Sequence, residues 1–374
     1  MVVRSSWRIG QIAGIEIAIH PSWLVIFALF SYAAMTSAQM LANQMGVALS
    51  TRSSIVLGIL AALLLFGCVV AHELSHALVA RRLGIPIGNI TLFLFGGVAS
   101  ILREPGTPAD EIKMAAAGPL ASLALAALFG GIAYLAKDAP WILTLSLILA
   151  SSNFVLALFN LLPAFPSDGG RILRAIIWTF VKSQARATAA ASTVSAVIAA
   201  LLVVAGVTMA LNRMYNGIWL VFIALFLLQA AIASGRQARV SLALERMRVG
   251  DCMARTLIPV SEDAPLTTFV STVQEAKTTA YPVVENGAFV GLVSPRDTGA
   301  VPPTLWAHTP VRAIMTPAAG LPSLTVDTPA SDALAALAKS GVKSLPVFEN
   351  GELAGVVSEE TIFSKLRDQG ATAA

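Results

Sequence analysis

Six stretches of the chain are almost unbroken runs of apolar residues, near 22–41, 54–79, 113–136, 141–162, 188–211 and 216–234. Each has about the 20 residues an α-helix needs to cross ~30 Å of hydrocarbon. Six membrane-spanning helices are therefore expected. Between the second and third runs, residues 87–101 are apolar and β-prone but interrupted by Gly96 and Gly97. That segment is too short to span as a helix. It predicts a short re-entrant β-hairpin, sheltered by protein or water because non-helical backbone finds no partner in lipid. Beyond about residue 240 the long apolar runs stop, and a repeat begins. Val249–Met253 resembles Val311–Met315, 62 residues later, and Tyr281–Gly287 matches Leu345–Gly351 at an offset of 64. Each copy continues into Gly291–Ser294 or Gly355–Ser358. A repeat of this period marks duplicated folding units that bury faces against each other. The fold class expected is a multi-span α-helical membrane domain over residues 1–240, followed by a soluble α/β domain over 245–374. The two repeats cover about 245–300 and 307–368.

Composition agrees. Of 374 residues, 56% are hydrophobic and only 12% charged, with a mean hydropathy of +0.76, which excludes an ordinary soluble protein. Residues 1–244 carry 15 Lys/Arg against 7 Asp/Glu, a net of +8, whereas the remainder is net −4. The basic excess therefore belongs to loops beside a membrane and does not point to a nucleic-acid surface. One set of loops and ends contains Arg4, Arg8, Arg81, Arg82, Arg103, Lys113, Arg171, Arg174, Lys182, Arg186, Arg236 and Arg239, and the opposite set only Arg52, Lys137 and Arg213. The positive-inside rule then puts both termini in the cytoplasm of a plasma-membrane protein. Cys68 and Cys252 fall in different parts of the chain and make no disulfide framework. Met1–Gly10 is polar and basic, and the first apolar run is too long for a signal-peptide core, so it is read as a retained span.

Three ionisable side chains inside such a run are costly and demand a function. His72, Glu73 and His76 follow the apolar stretch Ser54–Ala71. On a helix, two histidines four apart share a face and can hold a metal, while the adjacent glutamate can take a proton from water activated there. From Ile17 to Arg103 the only acid is Glu73, and from Ala139 to Leu244 the only acid is Asp168. Asp168 is therefore the third candidate ligand. It lies after the fourth span, in a stretch whose Pro163, Pro166, Gly169 and Gly170 stop a helix. Two His and one carboxylate leave a fourth zinc position for water. Cys68 lies one turn before His72, but a thiolate there would fill that position, so it is read as packing. His20, beside Pro21, reads as interfacial, and His308 as a surface side chain. An open strand edge at Gly96 and Gly97 could bind an extended substrate by strand addition; a purely structural loop fits the residues equally.

His72, Glu73 and His76, the Gly96–Gly97 segment, Gly118 with Pro119, and Asn160, Pro163, Ala164, Pro166, Asp168 and Gly169 resemble the site-2 protease family of intramembrane zinc metalloproteases, in the same order from about Arg8 to Arg239. The resemblance implies one Zn2+ held by His72, His76 and Asp168, with Glu73 as general base. It also implies that Asn160 steadies the substrate or the developing oxyanion. Where such proteins often carry Asn three residues after Gly-Pro, this chain has Ser122. The implied substrate is a transmembrane segment of another protein in the bilayer, such as a membrane-bound anti-sigma factor or transcription regulator, cut near the cytoplasmic face. The chief alternative is a metal-ion transporter or channel regulated by its tail, since intramembrane His, Glu and Asp can also line an ion path.

The tail resembles a tandem CBS domain, a module that senses adenine nucleotides or joins chains as a homodimer. Nucleotide recognition there needs a carboxylate for ribose hydroxyls with a hydroxyl facing phosphate. Ser294 and Asp297 meet that need in the first copy; in the second, Thr361 stands where the acid is expected. At most one full ribose site for ATP or another adenine nucleotide is predicted, and dimerisation is the other use of the pair.

Overall fold

The structure, a computed structural model, describes residues 6–93, 96–214, 216–276 and 278–368; Arg4, counted above among the cytoplasmic charges, lies outside them. The chain divides into two units, residues 1–235 and 236–374.

Among the described residues six helices are long and apolar enough to cross a membrane: α1 (Trp23–Gln44), α2 (Thr51–Arg82), α3 (Pro108–Leu135), α4 (Pro140–Asn160), α6 (Gln184–Leu211) and α7 (Asn216–Arg246). A shorter helix, α5 (Asp168–Val181), lies between α4 and α6. The helices invert the pattern of a soluble bundle. Large apolar side chains face outward, among them Val56, Leu128, Val155, Leu201 and Phe222, while the contacts between helices use small residues. Ala34, Ala38 and Ala42 form a buried stripe on α1. A Cβ on Gly58 of α2 would stand 3.0 Å from Met35 of α1. Small residues let backbones approach closely where lipid supplies no hydrophobic drive. Helix starts are capped by Ser50, Thr107, Ser167 and Ser183, each accepting a backbone N–H from the first turn.

Four strands form one sheet in the order β1 (Trp7–Ile12), β2 (Ile15–Ile19), β3 (Ile87–Phe93) and β4 (Gly96–Ile101). The expected hairpin is thus present as β3 and β4, but it is half of a larger sheet. The N-terminal stretch, read as a polar basic lead, supplies the other half. Ala13 and Gly14, both at positive φ (52° and 80°), make the turn whose twist suits a two-residue hairpin. β2 then runs parallel to β3, pairing Ile17 with Ile90. β4 occupies one edge of the sheet.

The second unit repeats one motif. Its first copy has α8 (Val249–Cys252), β5 (Val260–Ser261), α9 (Leu266–Ala276), β6 (Tyr281–Glu285) and β7 (Ala288–Val293); β8 (Thr316–Pro317) completes a sheet in the order β5-β6-β7-β8. The second has β9 (Leu324–Thr325), α10 (Ala330–Ser340), β10 (Ser344–Glu349), β11 (Glu352–Ser358) and α11 (Glu359–Asp368). Both hairpins turn on Asn-Gly at positive φ: Asn286–Gly287 and Asn350–Gly351. After β7 the first copy makes a 3-10 turn, Pro295–Ala300, where the second makes α11. Gly299, Pro302 and Pro303 do not support a longer helix there.

Candidate metal centre

The repeat of four residues brings His72 and His76 to one face of α2, both buried, with their Nε2 atoms 3.2 Å apart. Asp168, the first residue of α5, places its Oδ2 3.3 Å from His72 Nε2 and 3.2 Å from His76 Nε2. Among the described residues, these three form the group of His, Cys, Asp or Glu side chains that could share a metal ion; Cys68 is buried on α2 but is not part of it.

The hydrogen bonds tell what the three atoms want. His76 Nδ1 lies 2.7 Å from the Met114 carbonyl. A carbonyl only accepts, so Nδ1 carries a proton, and in the neutral ring that leaves the Nε2 lone pair turned toward the centre. His72 Nδ1 pairs with Ser122 Oγ at 2.9 Å, which fixes the second ring. Asp168 Oδ2 is buried and receives no hydrogen bond. With both Nε2 atoms unprotonated, three electron-rich atoms face one another, and they repel unless a cation lies among them. Donors about 2.05 Å from one tetrahedral ion stand ~3.3 Å apart, and the three separations match. The residues fit zinc.

α3 carries the complementary surface. Glu111, Met114, Gly118 and Ser122 fall on one stripe of that helix and all are buried. Gly118 leaves the room the imidazoles need: a Cβ there would stand 2.6 Å from His72 Nε2 and closer still to His76 Nε2. Below the stripe, Glu111 Oε1 accepts from Arg174 Nε of α5 at 2.9 Å and also from Arg174 Nη2. Arg171 Nε lies 3.8 Å from the same oxygen.

Asp168 owes its place to the turn after α4. Ser167 caps α5 by accepting from Gly170 N, and its Oγ lies 2.6 Å from both the Leu162 and Ala164 carbonyls. A Cβ on Gly169 would collide with the Leu161 carbonyl, and one on Gly170 would stand 2.7 Å from Phe165 N. The two glycines thus let the start of α5 lie directly on the preceding turn.

Glu73 is half-buried beside β4. A Cβ on Gly97 would stand 2.5 Å from its Cγ and 3.1 Å from its Oε1.

Comparison with known proteins places the chain in a lineage. The model of peptidase family M50 matches residues 60–142 and 132–205, and that of the CBS domain matches 249–297 and 311–368. Rip3 of Mycobacterium tuberculosis, a protein named for zinc metalloprotease activity, is 32% identical over 374 residues, covering 96% of this chain and 92% of its own. A zinc metalloprotease of Methanocaldococcus jannaschii is 30% identical over 300 residues, covering 77% and 78%. The chain belongs to peptidase family M50. The solved site-2 protease from M. jannaschii is similar as well, 29% identical and covering 62% of this chain and 95% of that one, with a TM-score of 0.41.

This M50 protein is a site-2 type zinc metalloprotease, multi-pass in the membrane, with a CBS pair at its C-terminal end. Membership of a peptidase family decides against the ion-transport alternative. The remaining sequence candidates lie as follows. Asn160 ends α4 and turns its amide back on its own helix, donating to the Leu156 carbonyl at 3.0 Å. His20 bonds Ser22 at the start of α1, and His308 is exposed. Ser294 lines a cleft of about 810 Å3 between the CBS copies, together with Arg296, Lys343, Ser344 and Glu360. Asp297 is not among the residues lining it; its carboxylate accepts from Ser294 N at 2.7 Å and so caps the turn. Sequence reasoning did not reach the Met114 carbonyl or the Glu111–Arg174 pair. It noted Ser122 only as a departure from the family pattern, although a hydroxyl two helical turns from Met114, on the stripe through Gly118, signals a partner for the facing helix.

Proposed function

We propose that this protease cuts a transmembrane segment of another membrane protein near the cytoplasmic face, with His72, His76 and Asp168 holding zinc and Glu73 moving the protons. The observation that carries this reading is the convergence of two imidazole Nε2 atoms on a buried carboxylate oxygen that no proton donor satisfies. Zinc held there supplies a Lewis acid that brings the ionisation of water to about pH 7. The Met114 carbonyl keeps the His76 ring in the orientation and tautomer that ligation requires, and Ser122 orients the His72 ring. Glu73 takes the proton of the attacking water and returns it to the leaving amine. Its carboxylate lies against the backbone of β4, the edge strand. A substrate helix hides its peptide groups, so it unwinds and adds to that open edge at Gly96 and Gly97, which brings extended backbone beside Glu73. Asn160 commits one amide N–H to the Leu156 carbonyl and keeps a second for a substrate carbonyl.

The loop charges support a plasma-membrane protein with cytoplasmic termini, and the substrate class we favour is a membrane-tethered regulator such as an anti-sigma factor. In the tail, Ser294, Arg296 and Lys343 offer an adenine nucleotide's phosphates a hydroxyl and two cations. With Asp297 Oδ2 engaged as a cap, ribose recognition falls to its other carboxylate oxygen. A CBS-mediated homodimer is the other use of the pair, and unchanged cleavage with and without ATP would favour it.

The test is purified protein in liposomes with a model transmembrane substrate. Glu73→Gln should cut turnover by about 10²–10⁴-fold while zinc stays bound, and chelation should abolish cleavage. Cleavage that survives both treatments would falsify the mechanism.

A further inference from the structure

We propose that the buried Glu111–Arg174 ion pair is a positioning device for the metal centre, holding α5 on α3 so that Asp168 meets the two imidazoles. The inference rests on the reading above that His72, His76 and Asp168 hold zinc.

Two of the three candidate ligands come from α2 and the third from α5, and no covalent constraint sets their separation. α3 touches both. It bonds His76 through the Met114 carbonyl and His72 through Ser122. One turn before Met114, the fully buried Glu111 receives Arg174 Nε and Nη2. Arg174 lies six residues after Asp168 in a 14-residue helix, and it is itself 9% exposed. The guanidinium also lies 3.7 Å from Glu104 in the loop leading to α3, and Glu104 accepts from Gln184 at the start of α6. Helix α3 and the loop before it therefore close on one arginine, and the start of α6 joins them through Glu104. The glycine contacts at Gly169 and Gly170 set the start of α5, and its length packs against α3 and α6. The ion pair adds a directional attachment about two turns on.

A pair kept only for stability is a poor choice, because desolvating both charges offsets much of their attraction. A planar guanidinium whose Nε and Nη2 converge on one buried oxygen, Glu111 Oε1, instead fixes direction, which a hydrophobic contact does not. Ligation is sensitive to direction, and partners behind the ligands are worth about 10–100-fold in metal affinity.

The experiment measures zinc affinity of the purified full-length chain by competition with a fluorescent chelator, alongside the melting temperature of the metal-free protein. Glu111→Gln should raise the zinc Kd about 10–100-fold. Arg174→Lys keeps the charge and hence the fold but loses the planar guanidinium, and should raise Kd about 10-fold. His72→Ala is the control for the underlying reading. If it binds zinc like the parent, the metal assignment fails. If it loses zinc while the folded Arg174→Lys protein keeps the parent Kd within twofold, the metal assignment stands and the positioning role is overturned. A lowered melting temperature with an unchanged Kd overturns that role equally, since a merely structural pair would behave in that way.

Discussion

Replacing Gly118 by alanine tests whether the candidate ligands meet against α3 without removing any of them. The position is helical and lies within α3 immediately before Pro119, so the gain in intrinsic helix propensity of about 1 kcal/mol is opposed by the crowding that a Cβ meets ahead of a proline ring. The new methyl group, however, would lie 2.6 Å from His72 Nε2 and nearer to His76 Nε2. Ordinary carbon–nitrogen contact is roughly 3.5 Å, so α2 and α3 must part or the rings must turn by about 1 Å. Neither is easy where both rings are buried and each Nδ1 is held. A displacement of that size in a reacting constellation costs about 10²-fold, and ligation should suffer at least as much. Gly118→Ala should therefore melt, metal-free, somewhat below the parent temperature, as an overpacked site does, and should hold zinc at least ~100-fold more weakly and lose cleavage. Gly131→Ala is the matched control, on the same helix with nothing within 4 Å of the added methyl; it should leave zinc and turnover unchanged. The measurements are zinc content after dialysis against a graded chelator, and proteolysis in liposomes. A Gly118→Ala protein with parental zinc affinity would refute the claim that ligation takes place against α3.

Gly97→Ala crowds Glu73 rather than the metal ligands, since its Cβ would stand 2.5 Å from Glu73 Cγ. It should lower turnover about 10–100-fold with zinc content intact; loss of zinc along with activity would contradict the placement of Glu73 beside β4. In the tail, burial, and next the neighbouring Asp251, push the Cys252 thiol up to about 11. Native protein should accordingly resist thiol-specific alkylation at pH 8, while the unfolded chain reacts quickly. Because the folded-state value is raised, the stabilising contribution is complete below the unfolded value near 9 and is lost as pH rises through about 11. Thermal melts of the parent and Cys252→Ser between pH 8 and 11 should converge toward the alkaline end, and parallel curves would contradict this.

What could be read from the chain follows what the solvent demands. Lipid requires long apolar runs, a coarse signal, and all six spanning helices overlap the stretches expected. His72, Glu73, His76 and Asp168 stood out because charge is scarce where they lie, and the structure brings three of them to a common point. Charges at the membrane edge are harder. Arg171 and Arg174 were counted as orientation signals, and only packing distinguishes a solvated arginine from one sunk against Glu111. Trp7–Ile12 likewise read as a polar lead because its pairing with Ile15–Ile19 is settled by a turn at Ala13–Gly14 that resembles no strong turn signal. The break around Pro163 and Pro166 did announce the end of α4. The start of α5 at Asp168 depended on Ser167 as a cap and on two glycines fitting against a turn that exists only once the chain has folded.

One consequence concerns how such a site is built between separate helices. A metal can select its geometry only if the ligands already approach it, since each degree of freedom left to them weakens binding. Here α2 carries both histidines, and their spacing is settled by the helix itself. The free coordinate is the distance from α2 to α5, and α3 determines it by touching both. The stripe Glu111, Met114, Gly118, Ser122 does so with four different devices: a charge, a carbonyl, an absence of side chain and a hydroxyl. Its residues neither ligate nor move protons in the proposed reaction, yet each acts on a group that does. That is why a search for chemically reactive side chains found the ligands and overlooked their support, and why small changes on α3 should affect zinc more than they affect the fold.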